Sequence, residues 1–301
     1  MFVAALAAIA CHAGALSSQT PPALEHFTVR VDGEPLMLWA RRPTGATRTI
    51  LLIHGRTWSA RPDFDLQVAG EQKSVLEELA ARGYAAYALD LRGYGASPRD
   101  ATGWDTPRRS ALDVDSILSW IAVHQPVSHA PILLGWSNGA LVSQLAAQLH
   151  PERVSLLVLY GYPWNPDDAF IDDDESDPPA REHTTPADAS SDFITPNAIS
   201  QRTIDAYVAA AVASDPVRSD WRRYAEYNTL NGAHLHMPVL LLQGERDPAL
   251  THEALARVFA KIASQKKEWI TLRGGDHAAL LERTRPSFID AVTGFVSRAT
   301  P

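Results

Sequence analysis

The sequence predicts an α/β protein: a mostly parallel, doubly wound sheet covered by helices on both faces and interrupted once by an insertion. Three observations carry this reading. From residue 49 onward, short unbroken apolar runs alternate with longer segments of helical spacing. Unbroken runs are what strands buried on both faces look like, because helical crossovers cover a parallel sheet on either side. The alternation stops at residue 162, gives way to a segment rich in Pro, Asp, Ser and Thr, and resumes at 238.

The elements follow in order. HFTVRV, Asp32-Gly33 and EPLMLWARR predict two strands joined by a tight hairpin, since Asp-Gly suits a type I′ turn. TILLIHG (49–55) is a strand, and QKSVLEELAARG (72–83) a helix stopped by Gly83. YAAYALDLRG (84–93) is a strand, SALDVDSILSWIAVH (110–124) a helix, PILLGWS (131–137) a strand, ALVSQLAAQLH (140–150) a helix and SLLVLYG (155–161) a strand. Within the interruption, ISQRTIDAYVAAAVA and SDWRRYAEYN predict two short helices. Then PVLLLQG (238–244) and EWITLRG (268–274) are strands, and HEALARVFAKIAS (252–264) and SFIDAVTGFVSRA (287–299) are helices. The organisation read from this is a leader over 1–23, a core of 24–161 and 237–301, and a cap over 162–236.

Composition bounds the function. The 301 residues suffice for one large domain with an insertion, and no apolar run is long enough to span a membrane. A net charge of −8 without a basic block argues against nucleic acid as a partner. Cys11 is the only cysteine, which excludes an internal disulfide and a thiolate-rich zinc site. The eleven histidines are scattered without an HExxH, and no metal or organic cofactor is expected. The acidic run Asp167–Asp177 lacks the spacing of a calcium loop and reads as a solvated lid segment. The opening MFVAALAAIACHAGA reads as a short apolar leader ending in Ala13-Gly14-Ala15, or as a lipoprotein leader with Cys11 as acceptor. Neither version begins with Lys or Arg; export to the periplasm or outside is the expectation, a cytoplasmic protein the alternative.

The chemistry gathers at strand ends, where open α/β sheets place their sites. Ser137 stands between strand and helix in Gly135-Trp136-Ser137-Asn138-Gly139, a turn sharp enough to expose a nucleophile. The competing use of such a serine is as a helix cap. A serine needs a base to take its proton, and His277 follows the last strand in Gly274-Gly275-Asp276-His277. A carboxylate must orient that base, and Asp247 follows the preceding strand. Glu245 and Asp276 are rivals; Glu245 reads as a loop brace, and Asp276 adjoins His277 and would point elsewhere. The oxyanion donors expected are the backbone N–H groups of Asn138 and Arg56, with Thr57 the alternative to Arg56. His54 reads as a structural brace of that loop. Trp58, Trp136 and Trp164 are candidates to line an apolar or aryl substrate pocket, or else to pack the cap.

Taken together, HGRTWS, DLRGYGAS (90–97), GWSNG, GERDP and GGDH resemble the α/β-hydrolase family over residues 49–299. The resemblance implies an eight-stranded sheet with the cap inserted after the sixth strand, and a structural role for Asp90 and Arg92. It also narrows the reaction. Dehalogenases and epoxide hydrolases of this fold carry aspartate where Ser137 stands, and proline iminopeptidases carry HGGPG where this chain has HGRTW. The expected activity is hydrolysis of a small or medium carboxylic ester through an acyl-enzyme, without a cofactor. C–C or amide hydrolysis, acyl transfer, and non-catalytic ligand binding are the alternatives.

Overall fold

The computed structural model describes residues 21–125, 127–172 and 178–299. Residues 1–20 of the expected leader, with Cys11, and residues 173–177 of the acidic run lie outside the described residues.

Eight strands form one sheet: β1 (Glu25–Val31), β2 (Glu34–Arg41), β3 (Arg48–Ile53), β4 (Tyr84–Leu89), β5 (Ile132–Trp136), β6 (Leu156–Tyr160), β7 (Val239–Gly244) and β8 (Lys267–Leu272). Their spatial order is β1-β2-β4-β3-β5-β6-β7-β8. β1 pairs antiparallel with β2, and β2 with β4; every other pairing is parallel. The β1–β2 turn has positive φ at both Asp32 (50°) and Gly33 (86°), the geometry a type I′ hairpin needs.

Side chains alternate between two cores. Leu51, Ile53, Leu133, Leu157, Leu159 and Leu241 pack against α3 (Pro107–His124), α4 (Asn138–Leu149) and α7 (His252–Lys261). Ile50, Leu52, Leu134, Val158, Leu240 and Leu242 pack against α2 (Val75–Ala81) and α8 (Arg285–Ala299). Truncating one of these, Leu134 for instance, to alanine costs about 2–5 kcal/mol, because the close-packed neighbours fill the void only in part. α3 starts earlier than the periodicity suggests, since Thr106 caps it by accepting from the Arg109 N–H and Pro107 supplies a preset first turn.

Between β6 and β7 the chain adds no strand to the main sheet. It carries α5 (Pro186–Ser190) and α6 (Gln201–Ser214), and α1 (Ala60–Phe64) lies beneath α6. The helix expected over SDWRRYAEYN does not form. Asp220–Trp221 pairs with Trp104–Asp105 as a short parallel ladder, Arg223 turns left-handed (φ 59°), and Tyr224–Thr229 is a 3₁₀ turn. Tertiary contacts override the local pattern: the Trp221 indole donates to Tyr94 Oη (2.7 Å), and the Tyr227 hydroxyl donates to Asn138 Oδ1 (3.0 Å).

Buried polar bonds fasten this segment to the sheet. Asp215 accepts from the Ser59 and Gly95 amides at 2.9 and 2.7 Å. Arg99 donates to the Val217 and Arg218 carbonyls. In DLRGYGAS, Asp90 accepts from Ala60 N, Ala96 N and the Trp39 indole, while Arg92 forks onto Asp113 at 2.6 and 2.8 Å. Both are scaffold, as the family resemblance implies.

Candidate active site

β5 ends at Trp136 and α4 begins at Asn138, so Ser137 alone makes the turn. It does so at φ 56°, ψ −124°, a conformation that costs a non-glycine residue on the order of 1–3 kcal/mol. Its hydroxyl caps nothing in α4, which removes the capping role as the reason for a serine. The flanking glycines have a steric cause. A Cβ on Gly135 would sit 2.1 Å from the Gly139 carbonyl oxygen, and one on Gly139 would sit 2.3 Å from the Ile53 carbonyl oxygen. Strand, elbow and helix thus touch backbone to backbone.

His277 and Asp247 come from the loops after β8 and β7. His277 Nδ1 lies 3.0 Å from both Asp247 carboxylate oxygens. That contact makes Nδ1 the protonated nitrogen and leaves Nε2 as the acceptor. The Asp247 side chain is fully buried, while that of His277 keeps 23% exposure. Burial pushes the imidazole pKa down, but the Asp247 hydrogen bond and charge, with smaller help from Asp192 and Asp276, raise it on balance above 6.5. Two further donors hold the His277 backbone: the Trp136 indole N–H (2.9 Å) and the Tyr160 hydroxyl (2.8 Å) both reach its carbonyl oxygen. No hydrogen bond joins Ser137 Oγ to the imidazole among the described residues; contacts of this kind tighten when substrate binds.

The rival carboxylates are occupied elsewhere. Glu245 accepts from the Gly274 amide at 2.7 Å and braces the loop. Asp276 accepts from the Ala278 and Thr195 amides.

The loop after β3 runs beside the elbow, and a Cβ on Gly55 would lie 3.5 Å from Ser137 Cβ. The Asn138 amide sits in the first turn of α4, where no intrahelical acceptor exists. The Arg56 amide donates to no acceptor among the described residues. Both are therefore free to face a developing oxyanion. The Arg56 carbonyl is held by the Tyr94 hydroxyl, and its guanidinium lies 5.2 Å from the Tyr224 ring centre. His54 donates from Nδ1 to the Gly55 carbonyl and accepts at Nε2 from Leu91 N–H. Burial drops its pKa to about 4, so it is a neutral brace.

The three tryptophans are not brought together. Trp58 and Trp136 belong to one core and Trp164 to the other, where it stacks on Phe170. Trp58 and Trp136, at 3% and 4% exposure, are packed inside their core, while Trp164, at 9%, lines a cavity of about 340 Å³ with Tyr162, Leu230 and Ile262. Sequence reasoning missed Asp63, Asp192 and Tyr207. The Tyr207 hydroxyl lies 2.9 Å from Asp63 Oδ1 and 3.3 Å from Asp192 Oδ2, under α6 and close to His277. No local motif marks these residues.

With this geometry in place, comparison with known proteins is informative. Residues 50–290 match the model of the alpha/beta hydrolase family. No curated protein sequence matches the chain. Among solved structures, the thioesterase domain of the curacin biosynthetic pathway is similar at TM-score 0.65 and 18% identity, over 89% of this chain and 99% of that one. A hydrolase from Pseudomonas aeruginosa PA01 is similar at TM-score 0.65 and 19% identity (91% and 98%). An esterase from Pyrococcus furiosus is similar at TM-score 0.60 and 17% identity (93% and 92%). These likenesses are of fold. The chain belongs to the alpha/beta hydrolase family.

Proposed function

We propose that this α/β hydrolase is a serine esterase in which Ser137, His277 and Asp247 form the catalytic triad. The observation that carries the reading is the strained Ser137 elbow next to Trp136, whose indole holds the loop of a histidine with its Nδ1 on a buried carboxylate. Nothing else in the fold requires a serine at that conformation. The esterase and thioesterase among its structural neighbours accord with acyl transfer to water.

His277 Nε2 takes the Ser137 proton as Oγ attacks the ester carbonyl carbon. The Arg56 and Asn138 amides donate to the resulting oxyanion. The imidazolium, stabilised by Asp247, passes the proton to the leaving alkoxide, and the alcohol departs. Water then gives a proton to Nε2 and attacks the acyl carbon. Collapse of the second tetrahedral intermediate frees the acid and returns the proton to Ser137. The substrate is a small or medium ester of apolar or aromatic character, and an exported location goes with the apolar leader.

The test is hydrolysis of p-nitrophenyl esters from acetate to decanoate by the protein and by Ser137→Ala. Loss of a triad serine lowers turnover by roughly 10³- to 10⁶-fold. A wild type inert on every ester would refute the esterase reading, and an active Ser137→Ala would refute the nucleophile.

A further inference from the structure

The segment between β6 and β7 brings a second carboxylate, Asp192, into the neighbourhood of the histidine loop. Asp192 follows α5, and three contacts fix it. The Tyr207 hydroxyl lies 3.3 Å from its Oδ2, the neighbouring Phe193 ring meets the Tyr207 ring edge-on at 5.0 Å, and Thr195 N–H donates to Asp276 Oδ2 at 2.8 Å. Asp276 directly precedes His277, so the stretch from Asp192 to Thr195 is tied to the histidine loop itself.

We propose that Asp192 is a positioning residue for the base: it stabilises the His277 imidazolium across the cap–core boundary, so that the base is fully effective only with the cap seated. This rests on the triad reading above.

The surrounding charges support that role. His277 faces Asp247 at Nδ1, with Asp192 and Asp276 next in influence. Asp192 faces His277, Tyr207, Trp58 and Arg218, with Asp63 beyond the tyrosine. Burial raises the Asp192 pKa, and the His277 charge is the strongest influence drawing it back. Trp58 Nε1 is buried without a hydrogen-bond partner of normal geometry, and its dipole favours the ionised form of Asp192. Arg218 contributes less; its Nη2 lies 3.4 Å from Thr57 Oγ1 and its Nη1 3.9 Å from Glu182.

Tyr207 limits how the two carboxyls can share protons. It has one hydroxyl hydrogen and two carboxyl neighbours, so it can donate to only one of them. The second must bring its own proton. Asp63, enclosed between α1 and α6, has its pKa raised well above the ordinary range by burial and by the Asp192 charge. Asp63 therefore takes the proton and Asp192 keeps its charge for the imidazole. The hydrogen bonds run from Asp63 on α1 through Tyr207 on α6 to Asp192, and Thr195 ties the same stretch to Asp276, the residue before His277. A cap displaced from the core would withdraw Asp192 and weaken the base.

The experiment is the pH dependence of kcat/KM on p-nitrophenyl acetate, a neutral substrate, for wild type, Asp192→Asn, Asp192→Glu and Tyr207→Phe. Asp192→Asn should move the midpoint of the acid limb down by about half to one pH unit. It should lower kcat roughly 5- to 10-fold with KM little changed. Asp192→Glu should restore much of the midpoint, and Tyr207→Phe should shift it partway in the same direction. Labelling of Ser137 by a fluorophosphonate checks that each variant retains a folded elbow. A labelled Asp192→Asn enzyme with an unmoved or raised midpoint overturns the inference while leaving the triad intact. Activity in Ser137→Ala would overturn the triad itself. Should Asp192→Asn fail to label, the Asp192→Glu and Tyr207→Phe midpoints decide: wild-type midpoints in both overturn the inference.

Discussion

The Trp136 indole N–H donates to the backbone carbonyl of His277 across 2.9 Å, with the two rings 5.6 Å apart. The residue just before the elbow serine thus fixes the histidine loop that reaches over it. Trp136, the second letter of GWSNG, serves to hold the histidine loop. Trp136→Phe keeps most of the packing and removes the donor. It should lower kcat roughly 10- to 100-fold, as a small displacement of the base does, with a much smaller change in KM. Steady-state kinetics on one ester series checks this, and a purely elevated KM would assign Trp136 to the substrate instead.

The base must be neutral to accept the Ser137 proton, and the folded protein raises its pKa above 6.5. The sign follows directly. As pH rises, His277 deprotonates at a higher pH than a free histidine, so kcat/KM should climb through a midpoint above 6.5. A pH–rate profile with its acid limb below that value would contradict the account.

Asp215 joins the segment between β6 and β7 to the loops after β3 and β4 through the Ser59 and Gly95 amides. Asp215→Ala strands both donors in a buried site and should cost about 3 kcal/mol. Chemical denaturation checks the figure. Asp215→Asn, which keeps one acceptor oxygen, should cost less.

Asp105 carries a pH signature of stability. Its Oδ1 accepts from Thr106 N and Ser110 Oγ, but its Oδ2 is buried without a partner. Burial pushes its pKa up from 3.8 to about 7. A carboxyl raised on folding stabilises the fold most below its unfolded pKa, and that contribution fades as pH rises toward the folded value. Asp105→Asn does not titrate. Its Tm relative to wild type should therefore rise between about pH 4 and pH 7 and level off above, which melting curves across that range would read.

The sheet was legible because its strands are unbroken apolar runs and its turns carry their own punctuation, as at Asp32-Gly33 and Gly83. Ser137, Asp247 and His277 could be singled out for the same reason: each follows an apolar strand within a short, glycine-rich turn. The segment between β6 and β7 resisted reading. SDWRRYAEYN has helical spacing, yet Trp221 and Tyr227 are pulled apart by partners on Tyr94 and Asn138, which local spacing does not encode. Asp63 and Tyr207 stand 144 positions apart and meet only after folding. Asp192 sits in a stretch whose polarity looks like solvated loop, and only its neighbours reveal that it is half-buried against Tyr207.

The central claim is that Ser137 carries the acyl group. Rapid quenching of the enzyme with p-nitrophenyl acetate in acid, followed by peptide mass spectrometry, tests it most directly. The account predicts one acetyl group on the peptide spanning GWSNG, located at Ser137, formed with the burst of p-nitrophenol and absent from Ser137→Ala. Steady turnover with no adduct at Ser137, or with the acetyl group on another residue, would contradict it.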